Sequence, residues 1–258
     1  MSISFSNRHF IVLLFIFSVV LVSAHAESDG FADLPQAIDG VAAPAPVSAQ
    51  ELLQDCRARM PAETVRLTGW VRNRRPRGVV DREFDFEAEL RWGAAVPVIQ
   101  YTFSTAREGI LARATFRHAA DISELILQTG ANLEPAETPA WNASILGTDI
   151  AWLDLSMDFL HWTKAELNGE AKVRGRLCDL VELYPPVEIP GCKKVRLWVD
   201  REIRMFLQAQ EIDEDGKIQR QMWVKSVKKM NDRWMVQDIE VEARGSNHRT
   251  RLHVLSCE

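Results

Sequence analysis

Four cysteines, Cys56, Cys178, Cys192 and Cys257, carry the most reactive side chains in this sequence. None belongs to a C-x-x-C pair, which argues against a thioredoxin-like redox motif and a zinc ribbon. An even number of thiols suits disulfide formation once the chain is in an oxidising space. Paired residues of a hairpin share a constant index sum. A hairpin centred on Pro185, within Tyr184-Pro185-Pro186, therefore sets Cys178 opposite Cys192 on adjacent strands. Cys56 and Cys257 are then left to tie the first helix to the last strand. Four cysteines allow three connectivities in all.

Other reactive groups do not assemble by spacing. His118, His161, His248 and His253 are scattered, and the last two would point to opposite faces of a strand. The sequence contains neither a G-x-S-x-G elbow nor an H-E-x-x-H pair. Asp213 and Asp215 open like a calcium loop, but the carboxylates that would complete it are missing, so they read as turn residues. Asn142-Ala143-Ser144 matches a glycosylation sequon by pattern alone. The expectation is a binding protein, not an enzyme, with no catalytic residue, metal or cofactor. Two groups carry that expectation. Arg72, Arg74, Arg75 and Arg77 gather positive charge around one hairpin. They suit an anionic headgroup or acidic partner, or else a solvated tip that deters edge aggregation. Phe84, Phe86, Tyr101, Phe103 and Phe116 recur at period two on one strand face. They would line an apolar cavity or form an ordinary filled core.

These residues need a scaffold, and the periodicity supplies one. Ser48-Ala49-Gln50-Glu51 reads as a capping box, and Leu52, Leu53, Cys56 and Met60 share the helical face that follows, up to Pro61. The period then falls to two. Val65–Val71, Phe84–Leu90, Ile99–Phe103 and Ala112–Phe116 read as strands, joined through residues 72–78, 93–95 and 107–109. Residues 119–141, with Pro135 and Pro139, read as a loop. A helix is expected over residues 149–162, with Ile150, Leu153, Met157 and Leu160 on one face, Trp152 beside them, and Asp149 or Thr148 as its cap. Strands return over Lys172–Leu183, Lys194–Asp200, Met205–Asp213, Ile218–Val227, Arg233–Glu242 and Arg249–Ser256, with a tight turn at residues 213–217. About ten strands and two or three helices exclude a doubly wound α/β fold.

The first residues set the compartment. Arg8 and His9 precede the apolar run Phe10–Val22, and Ala24-His25-Ala26 fits a signal-peptidase site. Residues 1–26 read as a secretory signal cleaved after Ala26, too short and wrongly flanked for a membrane span. Residues 27–47 read as a flexible segment, and residues 48–258 as one domain. The formal net charge is −5. An acidic chain offers no general attraction to nucleic acid.

Several segments together resemble a known group. They are Gly147-Thr148-Asp149-Ile150-Ala151-Trp152-Leu153-Asp154-Leu155-Ser156, then Trp198-Val199-Asp200-Arg201, Glu211-Ile212-Asp213-Glu214-Asp215-Gly216-Lys217 and His248-Arg249-Thr250. In this order they are similar to the outer-membrane lipoprotein-sorting, LolA-like family of exported bacterial proteins, over roughly residues 60–255. The resemblance implies a mainly β (α+β) fold, an incomplete antiparallel β-barrel wrapped around short lid helices. It implies a periplasmic carrier for lipid or lipoprotein acyl chains, with Ile150, Trp152, Leu153 and Met157 in the lid. Inner- and outer-membrane partner proteins and transient membrane contact would follow. The rival expectation is a periplasmic protein-interaction module whose barrel core is filled. A hydrolase of envelope material, a distant third, lacks a nucleophile arrangement.

Overall fold

Ser48 starts the first element as its chemistry requires: its hydroxyl accepts from the Glu51 amide at 3.1 Å. The helix that follows, α1 (Ala49–Ala58), buries Leu52, Leu53 and Cys56. The computed structural model describes residues 34, 45–46, 48–119, 123–230 and 233–258. The expected leader, residues 1–26, lies outside the described residues, as does the expected lead-in 27–47 apart from residues 34, 45 and 46.

Thirteen strands form one antiparallel sheet. The first six are β1 (Val65–Arg74), β2 (Val80–Arg91), β3 (Val98–Thr105), β4 (Gly109–Arg117), β5 (Glu124–Thr129) and the short β6 (Glu134–Pro135). The other seven are β7 (Lys164–Val173), β8 (Arg176–Tyr184), β9 (Lys194–Asp200), β10 (Phe206–Ile212), β11 (Ile218–Met230), β12 (Arg233–Ala243) and β13 (Arg249–Cys257). Between the two sets lie α2 (Trp152–Ser156) and a 3-10 turn (Asp158–His161). The sheet runs β6-β5-β4-β3-β2-β1-β13-β12-β11-β10-β9-β8-β7. Each set is thus a meander, and the two meet at β1–β13. There the backbones of Arg66 and Glu258 exchange two hydrogen bonds of 2.8 Å. The edge strands are β6 and β7, and they are consecutive in sequence. Residues 136–163 therefore cross from one edge to the other as a chord over the inner face.

The strand total exceeds the expected ten because three elements escape the sequence pattern. β5 and β6 lie in the stretch read as a loop. β7 (KAELNGEAKV) is an edge strand exposed at most positions, so it shows no alternation. It turns into β8 through Arg174 and Gly175, both at positive φ (50° and 80°), the geometry of a two-residue hairpin. β2 carries the expected alternation: Phe84, Phe86, Ala88 and Leu90 are buried and most of their neighbours exposed.

A sheet this wide twists and curls around whatever covers its apolar face. That face, together with α1, α2 and the 3-10 turn, forms the main core. A smaller, separate cluster joins Cys178 of β8, Leu207 of β10, Val224 and Val227 of β11, and Leu34. At Gly69 in β1 the backbone comes close to its neighbours. A Cβ there would stand 2.1 Å from the His253 carbonyl oxygen and 2.6 Å from the Phe86 ring.

The expected disulfides are absent, for a reason of register. β8 and β9 pair Leu183 with Val195 and Cys178 with Asp200. The hairpin is thus centred nearer Ile189, which bridges Cys192 itself. Cys178 lies in the smaller cluster and Cys192 in the main core. Cys56 and Cys257 are not bonded to each other either: Cys56 is buried in α1, and Cys257 lies opposite Leu67. Burial pushes the Cys56 and Cys178 thiols up to about 12, which makes both poor nucleophiles.

Candidate functional site

The period-two aromatics meet on the inner face. Phe84 and Phe103 contact edge to face with centroids 5.6 Å apart, and Tyr101 stacks on Phe103 at 5.9 Å. The chord drops Trp152 onto this row, 6.4 Å from both Phe103 and Phe116, and Trp141 stacks on Phe116 at 6.1 Å. Phe84, Phe86, Tyr101, Phe103 and Phe116 are all buried in the main core. Of the two arrangements the sequence left open, cavity or filled core, these side chains and the chord are packed together on the inner face. Beneath α2 a void of about 10 Å³ remains, between Leu153, Phe159, Val195 and Met222, room for roughly one water.

The expected lid is also reshaped. The helix read over residues 149–162 breaks at Met157, which adopts φ 52°, ψ 29°. Ile150 precedes α2 and is buried, as are Trp152 and Leu153, while Met157 is partly buried at the break. Asp149 does not cap the helix. Asp154 instead accepts from the Ala151 amide at 2.7 Å. Asp149 is 1% exposed and clamps the chord to the late strands. It accepts from Thr250 Oγ1 at 2.9 Å and from the Ala243 amide at 3.3 Å, and lies 2.9 Å from His248 Nδ1. Its own amide donates to Thr250 Oγ1 at 2.9 Å. The segment starting at Gly147 and the His248-Arg249-Thr250 segment are thus partners in space.

Polar ties of this kind recur along the chord. Arg82 donates to the Leu146 carbonyl at 2.6 Å, and Gln50 of α1 to the Thr163 carbonyl at 2.7 Å. Arg57 donates to the Leu160 carbonyl. Asp158 binds buried His118 at 3.1 Å and the Trp162 indole at 3.0 Å. Burial opposes ionisation of Asp158, but hydrogen bonds from His118, Ser123 and Trp162 hold its carboxyl below the usual range. His118 stacks on His161 at 4.4 Å and on Trp92 at 5.7 Å. Burial, then the neighbouring His118 and Arg57, push His161 down to about 4. Beside it lies a pocket of about 160 Å³ lined by Ser123, Asp158, His161, Trp162 and Thr163.

Sequence reasoning missed Arg220, which reaches from β11 into the chord. It donates to the Asp149 carbonyl at 2.8 Å, the Asn142 carbonyl at 3.0 Å and Glu211 of β10 at 2.5 Å. Asp154 lies 3.6 Å away. Burial pushes Glu211 up to about 7 against the pull of Arg220, and it raises Asp154 as well. A signal was present: Arg220 keeps the phase of Met222 and Glu211 that of Ala209, both core residues. Charge at an inward position was legible there.

The four arginines do not form one free patch. Arg72 and Arg74 belong to β1. Arg72 pairs with Glu83 at 2.9 Å and lies 4.1 Å over Trp70. Arg75 pairs with Asp81 at 2.8 Å, and Arg77 occupies the turn at φ 68°. Asp213 behaves as a turn residue, accepting from the Lys217 amide at 2.8 Å. Asp200 does the same for Glu202 and Ile203, at 2.9 and 3.0 Å, and pairs with buried Arg176.

Comparison with known proteins fixes the fold type. A DUF1329 family protein from Desulfovibrio piger superimposes with a TM-score of 0.69 at 14% identity, covering 81% of this chain and 90% of the other. An outer membrane lipoprotein-sorting protein domain, so described, from Vibrio parahaemolyticus gives 0.68 at 15%, covering 81% and 91%. A LolA superfamily protein from Nitrosomonas europaea gives 0.58 at 14%, covering 83% and 94%. A family model described as that of an uncharacterized protein matches residues 138–258. No curated protein matches the chain. The expected LolA-like fold is therefore found: a mainly β, open antiparallel sheet with short helices on its inner face.

Proposed function

We propose that this chain is an exported periplasmic carrier, not an enzyme, that shields acyl chains of lipid or lipoprotein on the aromatic inner face. In this reading residues 1–26 are removed after Ala26, 27–47 lead in, and 48–258 form the carrier domain. The chord is the lid, and loading lifts it from Phe103 and Phe116. One observation carries the reading. The chord rests on an apolar face but is fastened through polar ties at Asp149, Arg220, Arg82 and Gln50. Water can replace the exposed ties of Arg82 and Gln50 at modest net cost, while cargo re-covers the apolar face; buried Asp149 and Arg220 need new partners when the chord lifts.

The magnitudes are compatible. Lifting Trp152, Leu153, Phe159 and Leu160 from the core forfeits about 1.5–3 kcal/mol for each side chain. A sixteen-carbon chain recovers about 0.8 kcal/mol per methylene. The two sums are of the same order, so loading and release sit near balance without nucleotide. Transfer then follows whichever membrane or partner protein binds the cargo better.

The test is lipid extraction from protein purified without detergent, followed by mass spectrometry, and transfer of a labelled diacyl lipid between vesicles. Co-purified acyl species and transfer are expected. A lipid-free protein that transfers nothing overturns the carrier. A second reading, a protein-interaction module, has one observation in its favour, the fully occupied inner face. It requires a stable protein complex and no lipid uptake.

A further inference from the structure

Arg220 is a buried guanidinium whose acceptors belong mostly to the chord. Of its four oxygen neighbours, the Asn142 carbonyl, the Asp149 carbonyl and the Asp154 carboxylate lie in residues 136–163, and only Glu211 belongs to the sheet. Its surroundings are otherwise apolar: Leu153, Phe159, Val195, Ala209 and Met222 line the same small void. A guanidinium presents five N–H donors. Buried without acceptors, it carries a large desolvation penalty.

The consequence rests on the carrier reading above. When the chord lifts, Arg220 keeps Glu211 and loses its three other neighbours. An alkyl chain can cover the aromatics but cannot satisfy the guanidinium. A cargo that brings an acceptor oxygen at the root of its acyl chain does both. We propose that Arg220 is a cargo-binding residue that takes the ester or amide carbonyl joining the acyl chain to its headgroup, in place of the Asn142 and Asp149 carbonyls. The shared chemistry is a carbonyl oxygen directly attached to a long alkyl chain, as in a diacyl phospholipid or an acylated lipoprotein terminus. Glu211, which competes for one edge of the guanidinium, weakens this contact. The same residue is thus the chord's fastener in the closed state and the cargo's anchor in the open one.

Two phosphatidylcholines of equal chain length serve as probes, one ester-linked and one ether-linked. They share headgroup and alkyl chains and differ in the carbonyl. Binding of each to the full chain is measured by partition from vesicles. A triacylated lipopeptide as a third arm separates lipoprotein from phospholipid as the carbonyl source. The wild type is expected to prefer the ester by about tenfold, the worth of a charge-assisted hydrogen bond. Arg220→Met should bind both probes equally. Glu211→Gln, which keeps Arg220 and the shape of the site, should widen the ester preference, so the proposal stays testable if the methionine variant fails to fold. Equal affinity of the wild type for the two probes overturns the role of Arg220 and leaves the carrier standing. So does a preference that survives in Arg220→Met, or one that shrinks in Glu211→Gln. Binding of no probe by the wild type overturns the carrier and this inference together.

Discussion

His161 and Glu211 are single groups whose surroundings oppose their ordinary titration, and in opposite senses. His161 falls to about 4 because burial disfavours its charged form. The unfolded chain therefore binds the extra proton between about pH 6.5 and 4, and stability falls as pH falls through that window. Glu211 rises to about 7. Here the folded chain holds the extra proton between about pH 4.5 and 7, so stability falls as pH rises through that window. Thermal unfolding across pH 4 to 7 should separate them. His161→Gln removes the loss on the acid side, and Glu211→Gln removes the loss on approach to neutrality; parallel curves for either variant and wild type refute its assignment. Asp149 is the other decisive residue. Asp149→Ala strands Thr250, His248 and the Ala243 amide together, and should cost about 3 kcal/mol in urea unfolding. The cysteines show where residue-level reasoning fails: Tyr184-Pro185-Pro186 is a plausible turn, but the hairpin extends to the Ile189–Cys192 bridge. Nothing in the local composition states where a proline-containing hairpin is centred. Reductant should accordingly leave the melting temperature unchanged, and a fall of several degrees would restore a bridge.

Elements were legible where one face is apolar and the other charged. β2 announced itself because Phe84, Phe86, Ala88 and Leu90 alternate with mostly charged residues, and α1 because Ser48 precedes an apolar stripe. β7 was not legible, since an exposed edge strand has no apolar face to declare it. The broken helix was missed for a different reason. Residues 149–162 keep a helical apolar period, yet tertiary packing puts Met157 at positive φ and splits the element. Two substitutions test how the elements fit. Gly69→Ala forces a methyl into the His253 carbonyl and the Phe86 ring. It should cost about 3 kcal/mol by overpacking; wild-type stability would show that β1 can shift away. Trp152→Ala opens space against Phe103 and Phe116. It should cost about 3–5 kcal/mol in stability and, if the inner face is the cargo site, raise uptake of a fluorescent fatty acid. Lost stability with unchanged uptake would assign Trp152 to the core alone.

At the scale of the molecule, the aromatic row and most of the strands followed from the sequence pattern, and the curled sheet from the family resemblance, but whether the inner face is hollow did not. The same five aromatics line a cavity or fill a core depending on what covers them, and Trp152 and Trp141 arrive from residues far along the chain. The site's charged members were hidden for the same reason: Arg220 gains its meaning only when the chord brings Asn142, Asp149 and Asp154 over β11.

The seam between β1 and β13 has a consequence for how the molecule is made. Residues 66 and 258 are hydrogen-bonded neighbours in the middle of the sheet, so this joint closes only after β13 has been synthesised and delivered. Until then the exposed flank of β1 has no partner, and long-range closure of this kind is slow. A nascent chain would pass through a stage of two half-sheets, each contiguous in sequence and linked by the chord. Loss of residues 249–257, β13 itself, would hold it at that stage, a ready template for aggregation.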